Sequence, residues 1–281
     1  MMTNPAIKFF MITNCSELAR FAIDSGVDRI FVDTEILGKD LRQGHLNTVI
    51  SRHTLDDVRR IRSSVPEGRL LVRINPIHEG SEAEIEQAIA AGADILMLPM
   101  FRSASEVRLF TAAVGGRVRC NLLVETVAAV AVLKECLEIP GVNEVHIGLN
   151  DLHLELGLDF MFEPLASGLV DDMAAILCAS GVPFGIGGIA RVGEGLLPAE
   201  LLLAEHARLG STAAILSRSF HRQASSVIEI KEQMDFSSEI LKLREAFRHS
   251  TLCSPEELQA AHRDVQKNVQ VIVGSIKARK V

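Results

Sequence analysis

The sequence predicts an α/β fold, a (β/α)8 barrel of the TIM type with extended C-terminal helices. Short apolar runs alternate with helical patterns along most of the 281 residues, eight such runs are present, and polar side chains follow them at their carboxyl ends. Eight parallel strands suit a closed barrel. Because periodicity does not show closure, an open doubly wound sheet is the alternative.

The predicted strands are the apolar runs 8–13, 29–33, 70–75, 95–99, 118–125, 145–150, 183–188 and 213–216. The predicted helices between them include 16–25, 55–63, 82–91, 104–114, 126–139 and 197–209. Asn14 or Ser16 is expected to cap the first helix, and Ser81 with Glu84 resembles a capping box. Four glycines are placed where helices end in a left-handed residue: Gly26, Gly92, Gly181 and Gly210.

Composition limits the function classes. The formal net charge is −7, so no basic excess is available for phosphates, and we expect no nucleic-acid partner. No signal peptide or membrane-length apolar run is apparent, so we expect a cytoplasmic protein without a membrane partner. The five cysteines are dispersed and contain no C-x-x-C pair, which argues against a disulfide framework or zinc site.

Two apolar runs lead to carboxylates 26 residues apart, Glu125 and Asp151. This spacing fits one strand–helix–strand step, so parallel neighbours would bring both acids to the same rim. Two adjacent carboxylates repel unless a cation or proton lies between them, and Mg²⁺ accepts one or two protein carboxylates. Two solvated strand-end acids are the alternative interpretation.

Arg73 directly follows the apolar run 70–72 within the third predicted strand. Its planar fork matches a carboxylate such as that of a 2-oxo acid or its enolate. The alternative is an ion pair within the barrel mouth, for example with Glu125. Polar residues also follow other strands, whereas the opposite strand ends carry ordinary solvated residues, and this asymmetry favours a catalytic rim.

Three segments together resemble the HpcH/HpaI aldolase and citrate lyase β-subunit superfamily: LLVRINP (70–76), VETVAAV (124–130) and IGLNDLHLELG (147–157). The resemblance covers roughly residues 28 to 220. It implies a (β/α)8 barrel in which Glu125 and Asp151 bind Mg²⁺ or Mn²⁺ and Arg73 holds the carboxylate or enolate oxygen. Gly148, Leu149 and Asn150, which precede Asp151 in the motif, are candidate substrate-binding residues.

The second predicted strand leads into VDTEILGKDLRQ (32–43). This segment resembles a shortened form of the D-x-E segment of the citrate lyase-like branch, with Asp33 and Glu35 as candidate catalytic acids and Lys39 and Arg42 beyond them. The aldolase branch has a histidine directly after the acid, whereas Ile36 occupies that position here. His45 or His53 is a candidate substitute, although a solvated loop histidine is the more ordinary interpretation.

The segment GIGGIAR (185–191) ends the seventh predicted strand. Its glycines suit either a phosphate cradle, with Arg191 and Arg218 adding positive charge, or close packing at a crowded barrel seam. Near the Asp151 motif, His146 is interpreted as a core residue and His153 as a non-ligand.

Residues 226–247 form one long amphipathic pattern, and Ser254-Pro255-Glu256-Glu257 begins a second helix with a capping box. We therefore divide the chain into a barrel, 1–225, and C-terminal helices, 226–281. The second helix has apolar positions that either cover a partner subunit or pack on their own barrel. The resemblance favours a homo-oligomer, a dimer, trimer or hexamer with exchanged helices.

The expected activity is a divalent-metal-dependent carbon–carbon lyase acting on a 2-oxo acid through a pyruvate-like enolate. The alternatives are a citrate lyase-like acyl-CoA lyase of the same superfamily, a barrel that binds an anionic metabolite without turnover, and a phosphate-utilising isomerase or mutase. Few exposed basic clusters suit the phosphates of coenzyme A, which favours the free oxo acid.

Overall fold

The computed structural model describes residues 6–38, 53–221, 224 and 226–280. Within these residues, parallel strands alternate with helices in the order of the predicted α/β barrel fold. Eight strand positions are occupied, and the seventh is divided into two short strands by Gly187, whose φ is +49°. The predicted eight-strand pattern and α/β barrel fold class are therefore confirmed.

The strands of the described residues are β1 Lys8–Ile12, β2 Arg29–Asp33, β3 Leu70–Arg73, β4 Ile95–Leu98, β5 Arg119–Val124, β6 Val142–Ile147, β7 Phe184–Ile186, β8 Gly188–Ile189 and β9 Ala213–Leu216. The α-helices are α1 Ser16–Asp24, α2 Leu55–Arg62, α3 Ser81–Ala90, α4 Ala104–Val114, α5 Val127–Ala131, α6 Leu133–Leu137, α7 Leu149–Glu155, α8 Glu163–Ala166, α9 Leu169–Ser180, α10 Ala199–Leu209, α11 Val227–Gln233, α12 Phe236–Ser250 and α13 Pro255–Lys280.

Besides the divided seventh strand, other predicted elements also differ from the structure. The helix predicted over 126–139 is two short helices, α5 and α6, separated at Val132. The pattern over 226–247 is likewise divided: Met234 is extended, and Asp235 caps α12 by accepting a hydrogen bond from the Ser238 amide at 3.0 Å. The sixth strand ends at Ile147, earlier than predicted, because α7 begins at Leu149.

The chain forms two compact units, the first being Phe10–Ile147 and the second Met1–Phe9 with Gly148–Val281. In the first unit β2 to β6 pair in succession, all parallel, and Phe10 to Ile12 of β1 pair with β2. Most side chains of these strands are buried, as the near-continuous apolar runs of a parallel sheet require.

A buried ion pair joins two strands of the first unit. The Arg29 guanidinium donates to both carboxylate oxygens of Glu144 and lies 5.0 Å from the centre of the Phe10 ring. Arg119 also pairs with Glu144, and Asn121 Nδ2 lies 3.4 Å from Glu144 Oε2. Arg29 and Glu144 are almost fully buried, so each charge depends on the other for stabilisation.

In the second unit β8 pairs with β9 in parallel, and the Lys8 amide donates to the Thr212 carbonyl at 2.9 Å. The predicted capping box of the last helix is confirmed: the Ser254 amide donates to Glu257 Oε2 at 2.7 Å and the Glu257 amide to Ser254 Oγ at 3.2 Å. The glycines predicted to end helices all have positive φ: Gly26, Gly92, Gly181 and Gly210.

The helix α13 packs against its own unit over its first half. His262 Nδ1 lies 3.0 Å from the buried Glu205 Oε2, and Gln266 Nε2 donates to the Ala166 carbonyl at 3.0 Å. Val265 and Val269 are buried, whereas Val271 is 69% exposed. The apolar stripe therefore continues beyond the part of the helix that its own unit covers.

In the described part of the chain, no helix combines the length and apolarity that a membrane span requires.

Candidate functional site

Neighbouring strands in register bring Asp33 and Arg73 together. Asp33 ends β2, Arg73 ends β3, and the two residues are direct partners in the parallel pairing. Arg73 Nε lies 2.9 Å from Asp33 Oδ1, and Arg73 Nη2 lies 2.9 Å from Asp33 Oδ2. This is the two-point contact in which a guanidinium matches a carboxylate. Arg73, Asp33 and Glu35 are the three predicted catalytic residues, and the structure thus brings the first two into direct contact.

Glu35 joins the same group. Its Oε2 lies 3.4 Å from Arg73 Nη2, and the Arg73 guanidinium lies 5.6 Å from the centre of the Phe31 ring. Asp33 and Glu35 are 2% and 1% exposed. Burial acts to lower the pKa of Arg73, but the charges of Asp33, Glu35 and Glu125 outweigh it and raise the pKa above its ordinary value. Arg73 therefore remains a cation at any working pH.

The partner of Arg73 differs from the predicted alternative. The expected ion pair was with Glu125, whereas the fork is held by Asp33, and Glu125 acts on Arg73 through its charge. The Nε and Nη2 edge of the guanidinium is thereby occupied. Among the described residues Nη1 forms no hydrogen bond, so its two N–H groups are the donors that Arg73 retains for a ligand.

Glu125 follows β5 and is 3% exposed. The Met100 amide donates to Glu125 Oε1 at 3.1 Å. Met100 has a φ of +52°, which no other described residue except glycine adopts. The left-handed conformation costs a residue with a Cβ about 1–2 kcal/mol, and such strain is found where a site requires a particular geometry. Here it directs an N–H group at a buried carboxylate.

Asp151 lies in the second unit, in the first turn of α7, rather than directly after a strand. It is buried, and Gly148 occupies the N-cap position of this helix. Leu149 is also buried, and a Cβ at Gly187 would lie 3.0 Å from its Cδ1. The Leu149 side chain is thus a packing element. Of the three candidate substrate-binding residues, Gly148 and Asn150 are half-buried.

The donor chemistry fits a hard divalent cation. Among the described residues no group of three or more His, Cys, Asp or Glu side chains is arranged to hold a metal ion. A cage made of protein ligands alone, as in structural zinc sites, therefore does not fit. Mg²⁺ or Mn²⁺ bound through one or two carboxylates, with water and substrate as further ligands, does fit. Glu125 is a suitable oxygen donor, and its pairing with Asp151 remains a prediction from the sequence.

His53 is the one candidate substitute histidine that the structure describes, since His45, like Lys39 and Arg42, lies outside the described residues. His53 Nδ1 accepts a hydrogen bond from the Asp33 amide at 3.1 Å. The proton of the neutral ring is therefore on Nε2. In this geometry His53 can donate a proton or hydrogen bond from Nε2, but Nδ1 is not placed to act as a base.

The other histidines near the motifs lie within the packing of the fold. His146 is 1% exposed, and its ring centre lies 6.1 Å from that of Phe10. His153 Nδ1 lies 3.3 Å from the Leu149 carbonyl of its own helix. The position of His146 agrees with its interpretation as a core histidine, whereas the interpretation of His153 as a non-ligand stays a prediction.

The segment GIGGIAR offers less positive charge than its sequence suggests. Arg191 is buried, and its Nε and Nη2 donate to the two carboxylate oxygens of Glu194. Arg191 Nη1 lies 3.8 Å from Met234 Sδ. Arg191 is thus already engaged in an ion pair, which does not favour a phosphate cradle at this loop.

All five cysteines are free thiols. Burial raises the pKa of Cys120 to about 12. Burial and the nearby Glu135 raise the pKa of Cys136 to about 11. Neither thiol forms a thiolate at neutral pH, which agrees with their interpretation as small core residues.

Two contributors to the site were not identified from the sequence. Met100 lies in the apolar Pro-Met-Phe segment after β4, where no polar residue gives a signal. Glu84 was interpreted as a helix cap, but Gly80 occupies the N-cap position, and Glu84 bonds Asn75 instead. The same S-x-x-E pattern is compatible with a capping box and with the observed contact of the glutamate with Asn75.

The fold was compared with known proteins. No family model matches the chain, and no curated protein matches it in sequence. Solved structures do match the fold over most of the chain. One is an HpcH/HpaI aldolase from Desulfitobacterium hafniense, 17% identical, with a TM-score of 0.58 over 82% of this chain and 94% of that chain. The chain has the HpcH/HpaI aldolase fold.

Two further structures agree with the fold assignment. CitE from Mycobacterium tuberculosis, in complex with magnesium and acetoacetate, is 18% identical, with a TM-score of 0.60 over 95% of this chain and 99% of that chain. The citrate synthase SbnG is 14% identical, with a TM-score of 0.58 over 82% and 94%. The fold that the resemblance of the three sequence motifs implied is therefore confirmed.

Proposed function

We propose that the protein is a divalent-metal-dependent carbon–carbon lyase acting on a 2-oxo acid through a pyruvate-like enolate. The observation that carries this proposal is the buried group of Arg73 with Asp33 and Glu35 at the carboxyl ends of β2 and β3, with the Glu125 charge acting on the same guanidinium. In α/β barrels this end carries the active site.

Each side chain has a defined task in the proposal. Asp33 holds Arg73 through two hydrogen bonds, so the guanidinium is oriented before substrate arrives. The Nη1 donors of Arg73 bind the carboxylate or enolate oxygen of the oxo acid, where negative charge develops. Glu35, beside Nη2, is the candidate group for proton transfer. His53 Nε2 is a candidate donor next to Asp33.

Two arguments support a metal ion in the proposal: the oxygen donors of the carboxylates, and the similarity of the fold to structures that contain magnesium. Glu125 and Asp151 would hold Mg²⁺ or Mn²⁺, which would supply Lewis-acid stabilisation of an enolate oxygen. The Met100 amide fixes one oxygen of Glu125. Structures of CitE were determined in complex with magnesium and pyruvate or acetoacetate, which supports a similar cation and substrate class here.

A second candidate is an acyl-CoA lyase of the citrate lyase-like branch. Glu35 is held beside Arg73 in the D-x-E segment that resembles this branch, and one CitE structure with coenzyme A and acetoacetate covers 94% of this chain. The two candidates differ in substrate, so testing pyruvate against short acyl-CoA thioesters separates them.

The decisive experiment is metal-dependent exchange of solvent deuterium into the methyl group of pyruvate, followed by NMR. We expect exchange with Mg²⁺ or Mn²⁺, loss of exchange with a chelator, and strong reduction in Glu125→Gln and Asp151→Asn. Calorimetric titration should show weaker metal binding in both variants. Glu138→Gln, at an exposed position, is the matched control and should behave as the parent.

Unchanged metal affinity in both variants would remove the two acids from the metal site. Metal binding without exchange in any tested oxo acid or thioester would favour a barrel that binds an anionic metabolite without turnover.

A further inference from the structure

Asn75 connects a short loop to the strand that carries Arg73. The loop consists of Ile36 and Leu37, which follow Glu35. It lies two residues beyond Arg73 and is 9% exposed. Its Oδ1 accepts two hydrogen bonds, from the Ile36 and Leu37 amides, both at 2.9 Å. These amides directly follow Glu35, in a segment that leaves the sheet and has no strand partner. One side-chain oxygen thus replaces the backbone pairing that the sheet no longer supplies.

The other side of this loop is fixed by β3 itself. The Thr34 amide donates to the Arg73 carbonyl at 3.0 Å, and Thr34 Oγ1 donates to the same carbonyl at 2.7 Å. Glu35 therefore lies between two anchored points, Thr34 on Arg73 and Ile36 on Asn75. Both anchors belong to the segment that carries Arg73, so the position of Glu35 is set relative to that guanidinium.

Glu84 holds the Asn75 amide in a single orientation. Its Oε1 accepts hydrogen bonds from Asn75 Nδ2 at 2.7 Å and from the Asn75 backbone N–H at 3.1 Å. With Nδ2 facing a carboxylate and Oδ1 facing two N–H groups, the opposite orientation of the amide would break three favourable contacts. Glu84 lies in the first turn of α3, where the helix dipole favours an acid.

His78 supports the second oxygen of Glu84. His78 Nε2 lies 3.1 Å from Glu84 Oε2, and the Gly80 amide donates to His78 Nδ1 at 3.0 Å. Because Nδ1 accepts from a backbone N–H, the proton of the neutral ring is on Nε2, and Nε2 donates to Glu84. His78, Glu84 and Asn75 thus form a continuous chain of hydrogen bonds that we call the Asn75 network.

We propose that Asn75 is a positioning residue, which the Asn75 network orients so that residues Ile36 and Leu37 are held and the Glu35 carboxylate stays beside Arg73. The assignment of a catalytic task to Glu35 rests on the proposed function, but the effect on the loop does not. Every polar atom of the Asn75 side chain is used on this loop or on Glu84, as expected of a residue that supports a site.

Amide hydrogen exchange of the ligand-free protein tests the loop directly. In Asn75→Ala the Ile36 and Leu37 amides lose their acceptor and should exchange at least tenfold faster. Amides of β6, a strand that pairs with β5 and with neither β2 nor β3, should keep the parent rate. Asn75→Asp keeps an acceptor for both amides but opposes Glu84 with a second carboxylate. In the double variant of Asn75→Asp with Glu84→Gln, a donor again faces an acceptor between positions 75 and 84. The double variant should therefore recover part of the protection of the Ile36 and Leu37 amides against exchange.

Kinetics test the consequence for the site. In the pyruvate exchange assay, Asn75→Ala should lower kcat at least tenfold, change KM less than threefold and leave metal affinity at the parent value. If Asn75→Ala does not fold, His78→Ala at the exposed end of the network should give the same pattern with a smaller change. His249→Ala, an exposed histidine on α12, is the matched control.

Parent-like exchange at Ile36 and Leu37 in the variants, or faster exchange spread equally over the chain, would overturn the positioning role. Faster local exchange with unchanged kcat would also overturn it, because the loop would then be dispensable for Glu35. A parent protein that exchanges no oxo acid refutes the proposed function instead, while the amide data still decide whether Asn75 holds the loop.

Discussion

At Arg73 the charge and the shape of the side chain can be separated by substitution. Arg73→Lys keeps a cation but loses the two-point contact with Asp33 and the two Nη1 donors. The loss of a charge-assisted hydrogen bond costs about 1.5–3 kcal/mol, or roughly ten- to a hundredfold in catalytic efficiency. We expect pyruvate deuterium exchange to fall by that factor while metal affinity survives, because Glu125 and Asp151 are unchanged.

Arg108→Lys is the control for Arg73→Lys, since Arg108 forms an exposed ion pair with Glu135. Surface pairs of this kind contribute little, so its exchange rate should match the parent. If Arg73→Lys exchanged as fast as the parent, Arg73 would be a structural ion-pair residue, and the oxo-acid proposal would lose its main support.

Met100 provides a test of backbone strain that does not depend on activity. Alanine and glycine both remove its side chain, but only glycine relieves the positive φ. We expect Met100→Gly to unfold at higher urea concentration than Met100→Ala, with a difference of about 1 kcal/mol in the free energy of unfolding. In the exposed helical position Ala112 the order should reverse, with Ala112→Gly less stable than the parent by about 1 kcal/mol.

If Met100→Gly were no more stable than Met100→Ala, the left-handed backbone would carry no cost at this position. The amide that Met100 directs at Glu125 would then need no strain to hold it.

The sequence predicted Arg73, Asp33 and Glu35 as candidate site residues, since polar side chains at the ends of apolar runs are visible in the pattern, and the structure places the three side chains together. It did not predict that Asp33 is the residue that holds Arg73. That contact depends on the register of β2 against β3, which makes the two residues direct partners, and a period of two does not determine register between strands. The strain at Met100 has no signal in residue type.

Among the helices, α2 provides a pH-dependent test. The Thr54 amide donates to Asp57 Oδ2 at 2.7 Å, and the Asp57 amide to Thr54 Oγ1 at 3.3 Å. Burial acts to raise the pKa of Asp57. The hydrogen bonds from Thr54 and Asn14 and the charge of Arg60 together outweigh burial, and the pKa is lowered. A lowered folded pKa means that the ionised carboxylate stabilises the folded state above the unfolded pKa, and that this contribution is lost as pH falls through the folded value.

We therefore expect Asp57→Asn to lower the free energy of unfolding by about 1 kcal/mol at pH 7. The difference from the parent should shrink below about pH 4, where the aspartate of the unfolded chain becomes protonated. Urea unfolding at pH 7 and pH 3 measures it, with the exposed neighbour variant Asp56→Asn as control. A difference of equal size at both pH values would show that the charge of Asp57 is not involved.

Element boundaries were predicted less well than the elements themselves. The amphipathic pattern over 226–247 continues across Met234 and Asp235, although Asp235 caps a new helix there. Both helices present apolar residues to the same unit, so their combined pattern has a helical period without a visible break. By contrast, the Ser254 box was recognised because a proline at the first helical position fixes where the helix begins.

For the whole molecule, eight alternating strands were enough to predict the fold class, because few architectures accommodate that order. The sequence could not show which apolar positions of the last helix are covered. In the structure Val265 and Val269 are buried against their own unit, whereas Val271 is exposed and Ile272, Val273 and Ile276 are only partly covered. Packing on its own unit thus applies to the first half of this helix, and the covering of a partner subunit stays a prediction for the second half.

Truncation at two points separates these halves. Removing residues 271–281 deletes the partly covered apolar end, about 15 Å of helix, and leaves the contact of His262 with Glu205 intact. If this end covers a second copy of the chain, light scattering should show a lower oligomer mass with an unchanged melting temperature of the protomer.

Removing residues 254–281 should lower the melting temperature as well, because Glu205 loses His262 and the buried valines leave apolar surface exposed. Leu241→Ser, at another exposed apolar position, should change neither quantity. An unchanged mass in both truncated chains would show that the helix serves its own chain alone.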